Sequence, residues 1–308
     1  MNPIILENIS KSYDKDKNLA VDNVSFDVKE GEIFGLIGPD GAGKTTIFRI
    51  LTTLLLANSG KASVCGHDVV ADYKAIRGMV GYMPGRFSLY QDLTVEENLN
   101  FFASLFKTSI KENYNLIKDI YVQLQPFKDR RAGKLSGGMK QKLALCCALI
   151  HKPSVLFLDE PTTGVDAVSR FEFWEMLNRL KEQQITILVS TAYMDEVEHC
   201  NRVALMQTGK VLSIDSPENI VAAFPETLFQ VKADNKHKLL KDMATYQGAF
   251  NSYASGEYIH ISFEKDNETD AQRMQEIKRF LADKGHQGIE ISLAKPGIED
   301  CFLSLTKH

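Results

Sequence analysis

Residues 38–45 read Gly38-Pro39-Asp40-Gly41-Ala42-Gly43-Lys44-Thr45, which satisfies the phosphate-binding pattern G-x-x-x-x-G-K-[ST] at every fixed position. The glycines leave room for backbone N–H groups to close around phosphate oxygens. Lys44 has the reach for β- and γ-phosphates, and the Thr45 hydroxyl suits Mg²⁺. Glu32–Ile37 reads as a strand entering the loop, and Thr46–Leu51 as the helix leaving it, its positive N-terminal end aimed at the anion. The plain alternative is a Gly-rich turn that binds nothing.

The rest of the chain repeats the strand–helix alternation. Strands are expected at Ile4–Ile9, Val24–Val28, Val80–Met83, Val155–Leu158, Ile185–Val189 and Arg202–Met206. Between them, Asp92–Phe106, Tyr114–Leu124, Gly138–Ile150 and Ser169–Gln183 read as helices. Thr94-Val95-Glu96-Glu97 has the form of a capping box. Apolar strands separated by helices point to a mainly parallel sheet in an α/β fold. Composition shifts near Pro217–Pro225, and beyond it the pattern is strand, helix, strand, helix, strand and a short final helix. Two domains are therefore expected: 1–223, with a helical arm over about 86–150, and a small α/β appendage over 224–308. A length of 308 residues accommodates both.

Composition narrows the function classes. A net charge of −4 gives no footprint for nucleic acid. No apolar run approaches the ~20 residues that span a bilayer. Met1–Glu7 lacks the basic start and apolar stretch of a secretory leader. The five cysteines, at 65, 146, 147, 200 and 301, have no metal-ligand spacing, and Cys146 and Cys147 read as small core residues. A reducing, cytoplasmic setting is expected.

Two further segments carry chemistry. Val155-Leu156-Phe157-Leu158-Asp159-Glu160 has the form of a Walker B strand, delivering two acids to the end of a strand where α/β sheets bind ligands. Asp159 suits Mg²⁺ and Glu160 suits polarising an attacking water, so Glu160 is the candidate catalytic group. Alone, the segment is equally a strand ending in solvated acids. Leu135-Ser136-Gly137-Gly138-Met139-Lys140-Gln141 offers a hydroxyl and backbone N–H groups at a helix start, which is an anion site or a simple Ser N-cap.

This last segment closely resembles the signature sequence of ATP-binding cassette (ABC) proteins. Pro161-Thr162-Thr163-Gly164-Val165-Asp166 and Tyr13 resemble the family's pattern as well, in order and spacing over about residues 1–220. The resemblance implies a P-loop NTPase with a RecA-like core, an antiparallel β edge and a helical arm. It also implies ATP and Mg²⁺ as ligands, and a head-to-tail dimer in which one chain's phosphate loop and the other's signature enclose each nucleotide. Under it, Tyr13 stacks on adenine, residues 38–45 and Thr46 cradle phosphates, and Thr45 and Asp159 hold the metal. Ser136 and Gly138 meet the partner's γ-phosphate, and Asp166 lies at the dimer seam. Without the resemblance, Tyr13 is an ordinary strand aromatic and Asp166 a turn acid. The tail Lys295–Phe302 resembles ATPase subunits of the drug- or polysaccharide-type exporter branch, which pair with separate membrane permeases on the inner face of the cell membrane.

The pattern breaks twice. The family's Gln after the strand at Val80–Met83 is replaced by Gly85, and its switch His by Ala192. Gln91 substitutes only if the loop folds back. His199 lies about 10 Å further along a helix axis. Both departures fall on the site of this chain's own phosphate loop, whereas the signature is whole. The expectation is an ATPase with a weakened site of its own, paired with a second ABC chain, more readily a different one than a copy. Tolerated drift with full activity is the alternative at these two positions. The rival functions are a soluble non-transport ABC ATPase and a non-hydrolysing nucleotide-binding regulator.

Overall fold

The computed structural model describes residues 2–14, 18–264 and 268–306. The chain divides into two compact units, Met1–Pro217 and Glu218–His308.

The first unit opens with antiparallel strands β1 (Ile4–Ser12) and β2 (Leu19–Val28), followed by β3 (Ile33–Ile37) and helix α1 (Lys44–Leu51). Then come β4 (Ser59–Val64), β5 (His67–Asp68), α2 (Tyr73–Met79) and β6 (Val80–Met83). Three helices form the arm: α3 (Val95–Leu105), α4 (Tyr114–Leu124) and α5 (Gly137–Leu149). The chain returns through β7 (Val155–Asp159), α6 (Ala167–Glu182), β8 (Thr186–Thr191), β9 (Arg202–Gln207) and β10 (Lys210–Asp215).

Two sheets result. The antiparallel edge sheet runs β2-β1-β4-β5, and the central sheet runs β10-β9-β3-β8-β7-β6 with only β10 antiparallel. β3, β7 and β8 are buried along their whole length, which explains why apolar residues fill their middles rather than alternate. One core joins the sheets: Phe26 stacks on Phe34 at 5.2 Å, and Phe48 meets Phe157 edge-on at 6.1 Å. α3 starts at Val95 rather than Asp92, because Thr94 and Glu97 form the capping box and end the loop there.

The second unit contains α7 (Pro217–Ala222), which straddles the division, then β11 (Thr227–Lys232), α8 (Lys236–Met243) and β12 (Asn251–Ser255). It continues through β13 (Tyr258–Phe263), α9 (Asp270–Asp283), β14 (Glu290–Leu293) and α10 (Ile298–Leu305). The strand order β12-β13-β11-β14, all antiparallel, with βαββαβ connectivity, is the ferredoxin-like arrangement. Its core is built on Phe229, Val231, Ile259, Ile261 and Phe263 against Leu239, Met243, Ile277 and Leu281.

Several elements lie outside the expected set: β4, β5, β10, β12, α2 and α7. Ser-Gly-Lys-Ala-Ser-Val in β4 and Asn-Ser-Tyr-Ala-Ser in β12 have little apolar alternation. They become strands because neighbours β1 and β13 offer ladder partners, a tertiary effect that local preference does not report.

Candidate functional site

The parallel register brings the phosphate loop and the Walker B acids to one edge. β3 pairs with β8 so that Ile37 faces Thr191, and β7 pairs with β8 so that Asp159 faces Ser190. Three strands therefore finish together, and the loop after β3 and the end of β7 line one cleft of about 680 Å³.

The loop geometry needs its glycines. A Cβ on Gly38 would sit 2.2 Å from the Met206 carbonyl oxygen, and one on Gly43, at φ +101°, 2.3 Å from the Ala20 oxygen. Gly43 is also the N-cap of α1 and supplies no side chain to cap it, so the first N–H groups of the helix face the loop. Asp40, Gly41, Ala42, Gly43, Lys44, Thr45 and Thr46 all line the cleft, while Gly38 and Pro39 do not and instead hold Lys44 through their carbonyl oxygens. The Lys44 ammonium is buried; it donates to the Gly38 oxygen at 2.7 Å and the Pro39 oxygen at 3.1 Å, and pairs with Glu160 Oε1 at 3.2 Å.

Thr45 Oγ1 donates to Asp159 Oδ1 at 3.2 Å, and Ser190 Oγ donates to the same oxygen at 2.7 Å. Burial pushes the Asp159 carboxyl above its ordinary range, partly opposed by those two hydrogen bonds and by Lys44. The neighbouring Tyr82 phenol is pushed up to about 12 by burial and by the Asp159 charge. Thr45 and Asp159 are hard oxygen donors, and two of them fit Mg²⁺, which usually takes its remaining ligands from water and phosphate. Among the described residues no group of three or more His, Cys, Asp or Glu side chains is placed to hold a metal ion.

Glu160 sits in the left-handed region at φ +49°, a strain of about 1–3 kcal/mol for a non-glycine residue. Its N–H donates to Ser190 O at 3.1 Å and Ser190 Oγ at 2.9 Å, which holds the turn. Ser190 thus orders both acids, a role hidden in the sequence behind its place in an apolar strand. Tyr13, exposed at the cleft mouth, makes a 3.1 Å hydroxyl–hydroxyl hydrogen bond with Thr46.

The signature residues gather elsewhere. Ser136 caps α5, its hydroxyl accepting from Met139 N at 3.3 Å. Asp166 caps α6, accepting from Ser169 N at 3.0 Å and Ser169 Oγ at 2.8 Å, and these bonds hold its carboxyl below the usual range. Gly138 packs on Ser169: a Cβ there would be 2.7 Å from the Ser169 hydroxyl. Ser136, Gly138 and Asp166 do not line the cleft of their own phosphate loop.

The two departures are also located. Gly85 lines the cleft, and a Cβ there would lie 3.0 Å from the backbone carbonyl oxygen of Asp159. Ala192 is exposed just past β8. Gln91 does not fold back; it packs on Gly133 and accepts a 2.9 Å hydrogen bond from its N–H. His199 ends a 3₁₀ segment, Met194–His199, and stacks on Trp174 at 5.0 Å. Arg49, Tyr82 and Arg86, which line the cleft as well, were not singled out by any motif.

Comparison with known proteins agrees with this geometry. The ABC transporter family model matches residues 21–163. The probable multidrug ABC transporter ATP-binding protein YbhF of Escherichia coli K12 is 36% identical over 98% of this chain, which spans about half (52%) of that relative's length. The Nod factor export ATP-binding protein I of Burkholderia thailandensis is 34% identical over 99% of this chain and 97% of its own. Among solved structures, cbiO1 of Clostridium perfringens, part of the ABC transporter complex cbiONQ, superposes with a TM-score of 0.64 at 25% identity, over 72% of this chain and 91% of its own. A P-loop cassette, with a glycine-shaped phosphate loop facing two Walker B acids and a relative matched nearly end to end, places the chain in the family of ABC transporter ATP-binding proteins.

Proposed function

We propose that the chain is the ATP-hydrolysing subunit of an exporter, working on a separate permease that holds it at the inner face of the membrane. Residues 1–223 carry the nucleotide chemistry, and 224–308 form an accessory domain. The observation that carries this reading is the convergence of Lys44, Thr45, Asp159 and Glu160 on one cleft. Relatives named for multidrug transport and Nod factor export support the exporter assignment. Among the described residues no helix is long and apolar enough to cross a membrane, which accords with a separate permease.

In this reading Lys44 binds the β- and γ-phosphates and Tyr13 stacks on adenine. Thr45 and Asp159 hold Mg²⁺, which neutralises charge on the phosphates. Glu160 accepts a proton from the attacking water. Ser136, Gly138 and Asp166, which do not line the chain's own cleft, complete the nucleotide site of a second cassette chain. Gly85 and Ala192 contribute no side-chain donor here, so this site turns over slowly and the partner's site does most of the work. Loss of one transition-state donor commonly costs about 10²–10³ in rate.

The test is an ATPase assay on the assembled transporter with its partner cassette. Ser136→Arg should remove most activity, because it blocks the partner's nucleotide, whereas Lys44→Ala should cost much less. If Lys44→Ala is the more damaging change, the asymmetric pairing fails and this chain's own site is the working one. A second reading, a nucleotide-binding regulator without hydrolysis, is motivated by the same two positions and is distinguished by turnover of the isolated chain.

A further inference from the structure

The cleft contains three basic side chains: Lys44, Arg49 and Arg86. Lys44 is engaged by Glu160 and two loop carbonyls. Arg49 lies near Tyr82 and lowers that phenol's pKa against the effect of burial. Arg86 is exposed at the cleft wall, and among the described residues it has no hydrogen bond, ion pair or ring contact. An exposed arginine that lines this cleft with its five donors unclaimed suits an anion better than a structural role.

Its position follows from the backbone. Residues 84–86 leave β6 and pass so close to β7 that a Cβ at 85 would lie 3.0 Å from Asp159 O and 3.8 Å from Glu160 Cβ. A Cβ at position 85 would press on the Asp159 carbonyl oxygen, and the next residue, Arg86, is the first after it to bring a donor to the cleft lining. Lys44 pairs with Glu160 and Thr45 bonds Asp159, so a terminal phosphate held by Lys44 and Thr45 would lie beside the two acids that this loop borders. A terminal phosphate is also what distinguishes a nucleoside triphosphate from a diphosphate, and Ala192 has no donor for it.

We propose that Arg86 recognises the γ-phosphate of nucleotide in this chain's own site and so sets its preference for triphosphate over diphosphate. The inference rests on the cleft being an ATP site. It requires no covalent step: Arg86 donates charge-assisted hydrogen bonds to phosphate oxygens.

The experiment is calorimetric binding of Mg²⁺ with the β,γ-imido analogue of ATP, and separately with ADP, to the full chain. Arg86→Ala should weaken the triphosphate analogue about 10-fold or more while changing ADP by less than about twofold. Arg86→Lys should recover part of the difference, since it keeps the charge but not the fork. Arg86→Glu should widen it. Because Arg86 is exposed and unpaired, these variants should melt with the parent. Equal losses for both nucleotides, or no change in either, overturn the Arg86 assignment alone. A parent that binds neither nucleotide overturns the ATP-site reading, and the assignment with it.

Discussion

Lys44 Nζ and Glu160 Oε1 lie 3.2 Å apart, so the buried cation of the phosphate loop and the partly exposed candidate base form one ion pair at the end of the central sheet. The two groups come from different strand–loop units, and β8 sits between those strands. In the proposed function the contact would couple phosphate binding to the residue that positions water.

The two members should separate kinetically. Lys44→Ala should weaken MgATP binding about 10-fold or more, because a charge-assisted contact to phosphate is lost, with little effect on adenosine. Glu160→Gln should keep ATP affinity and lose turnover. Calorimetry and a phosphate-release assay read both; unchanged MgATP affinity in Lys44→Ala would falsify the phosphate-loop assignment.

Ala192 is exposed beside the strand ends, so a larger side chain has space there. Ala192→His should raise turnover of the isolated chain by about 10–10³-fold. Gly85→Gln should gain less, because its Cβ meets the Asp159 backbone carbonyl oxygen at 3.0 Å and the loop must give way. Steady-state ATPase rates of the two single variants decide this, and a flat response to Ala192→His argues for a site that is not limited by that donor.

In the accessory unit, Asp300 ties α10 to the sheet. It accepts from the Tyr253 hydroxyl and from Gly297 N, and meets His260 Nδ1 at 2.7 Å. Burial pushes its carboxyl up, but the hydrogen bonds from His260, Tyr253 and Gly297 outweigh that and hold it below the usual range. A depressed carboxylate contributes stability above its unfolded value of about 4, and this is lost as pH falls through the folded value. Asp300→Asn should cost about 1–3 kcal/mol at neutral pH, with a gap to the parent that closes below about pH 4. Urea unfolding at several pH values, followed by probes in each unit, measures it.

Of the five thiols, only Cys65 is not buried; it lines a separate cavity of about 450 Å³ at the N-terminal ends of the central strands. Burial and Glu30 raise its pKa, so it should react slowly. Mass spectrometry after maleimide treatment should show one adduct on the native chain, absent in Cys65→Ser, and five after denaturation. More than one native adduct argues against the packing of Cys146, Cys147, Cys200 or Cys301.

The elements that were legible in the sequence are those whose signal is local. β3, the phosphate loop and α1 are contiguous, and their glycines, apolar run and lysine are fixed by the conformation of one short segment. β6 and α4 likewise begin and end where their periodicity does. Walker B and the signature were readable one at a time.

Tertiary structure decided what distant segments do to each other. Thr45 and Asp159 are 114 residues apart and meet only because β8 aligns β3 with β7. Ser190 holds both acids through hydrogen bonds that no spacing reveals, and Arg86 acquires a place in the cleft only from the close pass of Gly85 over Asp159. The weak strands β4 and β12 exist because neighbouring strands supply their hydrogen-bond partners. Local preference selects loops, caps and apolar strands within a few residues; register and burial, which bring side chains into contact, are properties of the assembled sheet.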